Sequence, residues 1–390
     1  MNNKSESGYI PLSVPEIGGN EWKYIKDCLD TGWVSSVGSY VIRFESELAT
    51  YVGAPHAVAT CNGTSALHIA LLVAGVQPDD EVVMPSLTFI APANAVRYAG
   101  AWPAFVDSER SYWQMDAEGF ADFLANACEV TDGVLRNRHT GRRVSAVMPV
   151  HILGHPADLD AIMELAQRYG LKVIEDATEC LGANYRGRPV GTHGDVGCYS
   201  FNGNKIVTTG GGGMLVTANA EWAARARYLT TQAKDDAVEF VHNAVGYNYR
   251  LTNVQAAMGC AQLELLQAYI EKKRTIARRY HDELGRVPGV TLMPRASWAE
   301  PNWWLYTVLI DPVEYGMSSR ELMRLLQAEE IESRPLWQPM HLSPAHSQSY
   351  AHGCGTAEWL NERALSLPCS VGLTDEAQER VIRTISAARR

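Results

Sequence analysis

The sequence predicts an α/β fold: a large domain around a mainly parallel sheet, followed by a smaller α+β region. Two observations carry this reading. From residue 56 to residue 217, short apolar runs alternate with helical stretches. The runs show little polar alternation, as strands do when helices cover both faces of their sheet. Beyond residue 250 the pattern changes to one long helical stretch and then to mixed elements.

Taken in order, "HAVAT" reads as a strand and "TSALHIALLVAGV" as the helix after it. "EVVMPS" and "TFIAPANAVRYAG" repeat the pair, and "WPAFVD" and "VSAVMPVHI" are further strands. "DLDAIMELAQRYG" is an amphipathic helix with Asp158 as cap and Gly170 as stop, leading into the strand "LKVIED". "VGCYSF" is a strand, and "FNGNK" a tight loop before "IVTTGGGGMLVT". "NRHTGRR" (137–143) reads as a basic surface loop. The stretch from Asn253 to Gly285 reads as a connecting helix. After it come a strand ("WLYTVLIDP"), a capped helix ("SSRELMRLLQAEE") and a last helix in "LTDEAQERVIRTISAARR". The expected division is an N-terminal arm (1–20), a large domain (21–255), and a connecting helix with a small C-terminal domain (256–390).

Composition narrows the function. At 390 residues and 46% hydrophobic, the chain can bury a large core. Its net charge of −10, with cations scattered, argues against a nucleic-acid surface but leaves room for a small phosphorylated ligand. The eight cysteines form no CxxC pair and sit in apolar contexts, so they read as reduced and buried. There is no apolar N-terminal run and no stretch of about 18 apolar residues, so the expected location is the cytoplasm.

Three places carry chemistry. In "CNGTSALHIALL" a strand gives way to a helix through Gly63, Thr64 and Ser65. Exposed N–H groups and the helix dipole there suit a phosphate, although an ordinary capped helix reads the same way. In "VIEDATECLGA" an apolar strand ends in Glu175 and Asp176, where ligands of open α/β sheets sit; an acid there either holds a protonated ring nitrogen or caps the next helix. Lys205 follows Asp176 by 29 residues, on a loop between strand candidates and before four glycines. Taken singly it is a loop lysine in solvent; buried, it is a nucleophile for a carbonyl. The glycines then allow φ > 0 or close backbone approach. Together the three are what pyridoxal 5′-phosphate requires: a phosphate anchor, an acid for the pyridine nitrogen and a lysine for the aldehyde.

Across nearly its whole length the sequence resembles the DegT/DnrJ/EryC1/StrS sugar aminotransferases. The likeness runs through "NGTSALHIAL", "PSLTFIAPANAV", "PVHILGHPADLDAI", "VIEDATECLGA", "GCYSFNGNKIVTTGGGGML" and "GYNYRLTNVQAA". It implies the fold type I pyridoxal-phosphate architecture (aspartate aminotransferase-like), with a seven-stranded-type sheet. It also implies site roles. Lys205 carries the cofactor and shuttles protons, Asp176 binds the pyridine nitrogen, and Glu179 approaches the phenolic oxygen, where other members often have Gln or His. Gly63, Thr64, Ser65 and Ser200 hold the phosphate, with Ser65 alternatively only supporting the helix start. Phe89 packs on the ring face or in the core. Asn248 reaches the phosphate of the other subunit, making a homodimer. Arg334 and His341 contact the nucleotide sugar or join the subunit interface, and Trp303, Trp304 and Trp337 stack on a ligand or are simply buried. His151 and His155 lack a third ligand and read as structural rather than metal-binding.

The activity implied is a two-stage transfer from L-glutamate to a keto-sugar, most like the C4 amination of UDP-linked 4-keto-6-deoxy-N-acetylhexosamines for surface glycans. Alternatives within the family are a 3-aminotransferase or a GDP- or dTDP-hexose 4-aminotransferase. A related sugar dehydratase places His where Lys205 stands, and a non-catalytic homologue would not need that lysine.

Overall fold

The computed structural model describes residues 8–236 and 238–389. Its main sheet contains β1 (His56–Thr60), β2 (Glu81–Pro85), β3 (Trp102–Val106), β4 (Val144–Val147), β5 (Lys172–Asp176), β6 (Val196–Ser200), β7 (Gly213–Thr217) and β8 (Tyr350–His352). The spatial order is β1-β7-β6-β5-β4-β2-β3-β8. Neighbours from β6 to β8 pair in parallel; β7 runs antiparallel to both β1 and β6. Strands β1 and β6 therefore point the same way, and Thr60, Pro85, Asp176 and Ser200 all end at one edge.

Seven strands come from the first 217 residues, in the runs the sequence marks. The eighth comes from far along the chain: Tyr350 to His352 lie beside Ala104 to Val106 of β3. A second sheet joins Val290–Leu292, Tyr306–Ile310 and Ala364–Leu367. The N-terminal arm runs against this C-terminal region: the Ile10 N–H donates to Glu330 and the Cys369 N–H donates to the Leu12 carbonyl.

Helices α1 (Glu21–Thr31), α2 (Ser39–Val52), α3 (Gly63–Val73), α4 (Ile90–Tyr98), α5 (Leu159–Tyr169), α6 (Ala220–Thr230) and α7 (Asn253–Leu284) flank or connect the sheets. Helix α3 is buried almost all round, with Ala66, Leu67, Ile69, Ala70 and Leu71 at 1% exposure or less. Each large apolar side chain so buried contributes about 1.5–3 kcal/mol, which anchors the first turn of α3 at the sheet edge. Thr252 and Gln255 form a capping box that starts α7. Gly170 stops α5 at φ +69° as expected. Asp158 stands at the N-cap position of α5, but its carboxylate accepts the Tyr185 hydroxyl instead of a helix N–H.

Residues 206–212 are irregular, and the strand begins only at Gly213. The "NRHTGRR" segment is tied down at its start, where buried Glu81 accepts from the Asn137 amide and from the Thr140 hydroxyl. All eight cysteines are unpaired, and seven are buried. Among the described residues no helix is long and apolar enough to cross a membrane.

Candidate active site

The carboxyl edge of the sheet gathers the three sequence motifs. At the end of β1, Asn62 caps α3: its Oδ1 accepts the Ser65 N–H at 2.8 Å. The Ser65 hydroxyl lies 3.3 Å from the Cys61 thiol, and the residue is 5% exposed. Ser65 thus supports the helix start, one of the two roles expected of it. The N–H groups of Gly63 and Thr64, at the first two helical positions, have no helix-internal acceptor.

Gly63 brings the motifs together. A Cβ built there would lie 2.8 Å from the Ser200 Cβ, 3.1 Å from its Oγ and 3.3 Å from the Thr178 Cγ2. The helix start therefore sits directly on the end of β6 and on the residue two beyond Asp176. The glycine run presses on the same loop from the other side: a Cβ at Gly213 would meet the Asn62 backbone at 2.5 Å. Gly210 has φ +77° and Gly212 has φ +151°, so the run supplies left-handed backbone as well as close approach. What it approaches in this structure is the loop that starts α3.

The two acids of β5 point to opposite faces, as successive strand residues must. Glu175 is wholly buried and accepts from the N–H groups of Gly191, His193 and Gly194 and from His151 Nε2. Burial alone would raise its carboxyl; His151 and these backbone donors bring it net below its ordinary range. Glu175 is an anchor for the loop after β5. Asp176 faces the cleft at 2% exposure, with Oδ1 accepting the Thr178 N–H at 3.1 Å. Burial holds its carboxyl above the ordinary range, against the opposing pull of Thr178 and Lys205. A cationic ring nitrogen is the kind of partner that would reverse that.

Lys205 is partly buried, with 13% of its side chain exposed. Its Nζ lies 3.6 Å from Glu179 Oε1 and 3.8 Å from the centroid of the Trp304 indole. Glu179 Oε2 accepts the Leu153 N–H at 2.7 Å, and burial pushes the Glu179 carboxyl up to about 7. Trp304 is held from all sides: its N–H donates to Asn302 Oδ1, its indole N–H to the Asn204 carbonyl, and its own carbonyl accepts from Lys273. Asn302 in turn donates to the Glu179 and Leu181 carbonyls.

The remaining expected residues separate. Phe89 ends the loop after β2 and is 52% exposed, so it is not core packing. Asn248 is exposed, between Tyr247 and Tyr249, and the Tyr249 carbonyl accepts the Cys61 N–H beside the start of α3. Arg334 keeps 70% of its side chain exposed and lines a cavity of about 220 Å³ with Asn204, Trp304, Trp337 and Ser366. In this chain His341 Nδ1 meets the Ser86 hydroxyl at 2.7 Å and Nε2 meets Glu358 at 3.1 Å. His155 donates from Nδ1 to the Pro156 carbonyl and accepts the Ala296 N–H at Nε2, while His151 Nδ1 accepts the Ala157 N–H. A larger cleft of about 510 Å³ along α7, beside Arg278 and Trp303, shares no lining residue with the site.

The model of the DegT/DnrJ/EryC1/StrS aminotransferase family matches residues 15–386. The chain belongs to this family. GDP-perosamine synthase of Caulobacter vibrioides is 39% identical to it over 96% of each chain. The enzyme of the same name from Escherichia coli O157:H7 is 37% identical over 94% of this chain and 95% of its own. The structure of DesI with its TDP-sugar product superposes with a TM-score of 0.88 at 31% identity, covering 99% of this chain and 94% of that one. As a family member the chain is a sugar aminotransferase dependent on pyridoxal phosphate.

The family fits what the site offers. Gly63 lets the start of α3 close onto Ser200, Asp176 offers a buried carboxylate and Lys205 a partly buried amine. Sequence reasoning missed Thr178, Asn302 and Lys273. Lys273 lies in "EKKR", which reads as a solvated helix face, yet it is 3% exposed and donates to the carbonyls of Trp304 and Cys369. Burial holds its amine below the ordinary range.

Proposed function

We propose that the enzyme transfers the amino group of L-glutamate to the C4 carbonyl of a nucleotide-linked 4-keto-6-deoxy sugar. The observation that carries this is the meeting of Lys205, Asp176 and the Gly63–Ser200 cradle at one sheet edge. In this reading the N–H groups of Gly63 and Thr64, with the Ser200 hydroxyl, hold the cofactor phosphate. Asp176 keeps the ring nitrogen protonated, Glu179 faces the phenolic oxygen, and Phe89 covers the ring. The bound pyridinium supplies the electron sink for proton removal at the donor α-carbon. Lys205 would hold the aldehyde at rest and, once its amine is free, would take that proton and give it back to the carbon on the far side of the donor nitrogen. Trp304 covers the lysine, and Arg334 on the cavity rim receives the anionic part of a substrate.

We further propose that two copies complete each other's sites, with Asn248 of the partner subunit reaching the phosphate. In support, Asn248 is exposed, and Val238, Phe240 and Val245 just before it are 82%, 64% and 82% exposed.

Two nucleotides compete. The N-terminal segment resembles enzymes using UDP-linked N-acetylhexosamines, whereas the relatives named GDP-perosamine synthase favour a GDP-linked sugar. The test is incubation of the purified protein with pyridoxal phosphate, glutamate and each keto-sugar nucleotide in turn, with the amine product read by mass spectrometry. Amination of the UDP or the GDP sugar assigns the nucleotide. No amination of any 4-keto sugar, UDP-, GDP- or dTDP-linked, overturns the reading.

A further inference from the structure

We propose that Glu179 is a further catalytic residue: the group that takes a proton from the Lys205 amine and hands it back. The inference rests on the aminotransferase reading above, and it concerns a pair of this chain's own residues.

The geometry gives Glu179 one fixed oxygen and one directed at the lysine. Oε2 is pinned by the Leu153 N–H, and Oε1 is 3.6 Å from Lys205 Nζ. Leu153 is a buried leucine at φ +63°, a conformation a non-glycine residue rarely holds unless its surroundings impose it. Asn302 fixes the Glu179 backbone through its carbonyl. On its far side the amine meets the Trp304 ring, so a carboxylate and an aromatic face bracket it.

The step balances within the pair. A Lys205 N–H bond breaks and a Glu179 O–H bond forms, so an ion pair becomes a neutral amine and a neutral acid. The amine then has the lone pair it needs to act as a base. Burial favours the neutral acid at Glu179, and the Lys205 charge opposes it. The titratable groups facing Glu179 are Lys205 from the loop after β6 and Asp176 from the end of β5. The adjoining Cys180 thiol is pushed well above its ordinary range by burial and stays neutral. Across the turn, His151 is spent on Glu175. With its carboxyl near pH 7, Glu179 holds either form at neutral pH.

The test is an infrared difference titration of the full chain as purified and freed of cofactor, in wild type and in Glu179→Gln. The expected result is a carboxylic-acid carbonyl signal that appears as pH falls through about 7 in wild type and is missing in the variant. A wild type without that neutral component, or a variant that keeps it, overturns the proposal. In the loaded enzyme, Glu179→Gln should keep the visible cofactor band, lose about a hundredfold in the rate of the glutamate half-reaction and lose its neutral pH limb; Glu179→Asp should restore part of the rate. An unchanged rate and pH profile also overturns it. A wild type that shows the neutral carboxyl but never forms a visible band with pyridoxal phosphate leaves the proton pair standing and removes the aminotransferase reading.

Discussion

Replacing Gly63 by Ala adds one methyl group at the point where α3, β6 and the loop after β5 converge. That methyl would lie 2.8 Å from the Ser200 Cβ, closer than real Cβ contacts, and 3.1 Å from the hydroxyl expected at the phosphate. The Ser200 Cβ is one bond from a backbone paired with Gly213, so it cannot swing aside. Overpacking of this kind costs about 1–3 kcal/mol. The helix gains up to about 1 kcal/mol from Ala in place of Gly, because the backbone there is ordinary helix. The net change in stability of the cofactor-free chain is therefore about 0–3 kcal/mol. The displacement falls instead on the cradle, where a shift of 1.4–2.7 kcal/mol, about 10–100-fold, in cofactor affinity is expected. Titration of the cofactor-free protein with pyridoxal phosphate, followed by its visible absorbance, measures this, with thermal unfolding run in parallel. Gly203→Ala is the control: it sits in the same loop as Lys205 with nothing within 4 Å of its Cβ, and should bind normally. Wild-type affinity in Gly63→Ala would refute the phosphate cradle.

Two other outcomes follow from the same geometry. Trp304→Leu removes the aromatic face over Lys205 and should lower kcat about 2–30-fold, the worth of a cation–π contact of about 0.5–2 kcal/mol, while the cofactor still binds; an unchanged kcat would contradict this role. His155 is buried neutral, its ring pushed down to about 4 by burial. The unfolded chain, titrating at its ordinary value, binds more protons between about pH 6.5 and 4, so stability should fall as pH drops through that window. The loss is on the order of 3 kcal/mol, visible in urea unfolding at pH 7 and pH 4.5, and His155→Gln should flatten the slope.

Much of this site is written locally. Strand runs such as "LKVIED", a polar start to α3 and a lysine before glycines keep their meaning without knowing the rest of the chain. That is why the acids after "LKVI", Gly63 and Lys205 stand out. The sequence does not separate Glu175 from Asp176, because both are acids at one strand end and only the strand's alternation, with His151 on one side, assigns them. Lys273 looks like a surface charge, since its partners are carbonyls 31 and 96 residues away. The same holds for β8, three residues whose strand character comes wholly from pairing with β3. The glycine run announces positive φ and close approach, but its partner, Asn62 at the start of α3, depends on the loop opposite.

The most direct test is to load the protein with pyridoxal phosphate, reduce it with borohydride and map the modified peptide. The account predicts one cofactor per chain, fixed to Lys205 in the peptide containing "FNGNK", and no stable attachment in Lys205→Ala. Attachment at another lysine such as Lys273, or full labelling of Lys205→Ala, would contradict it.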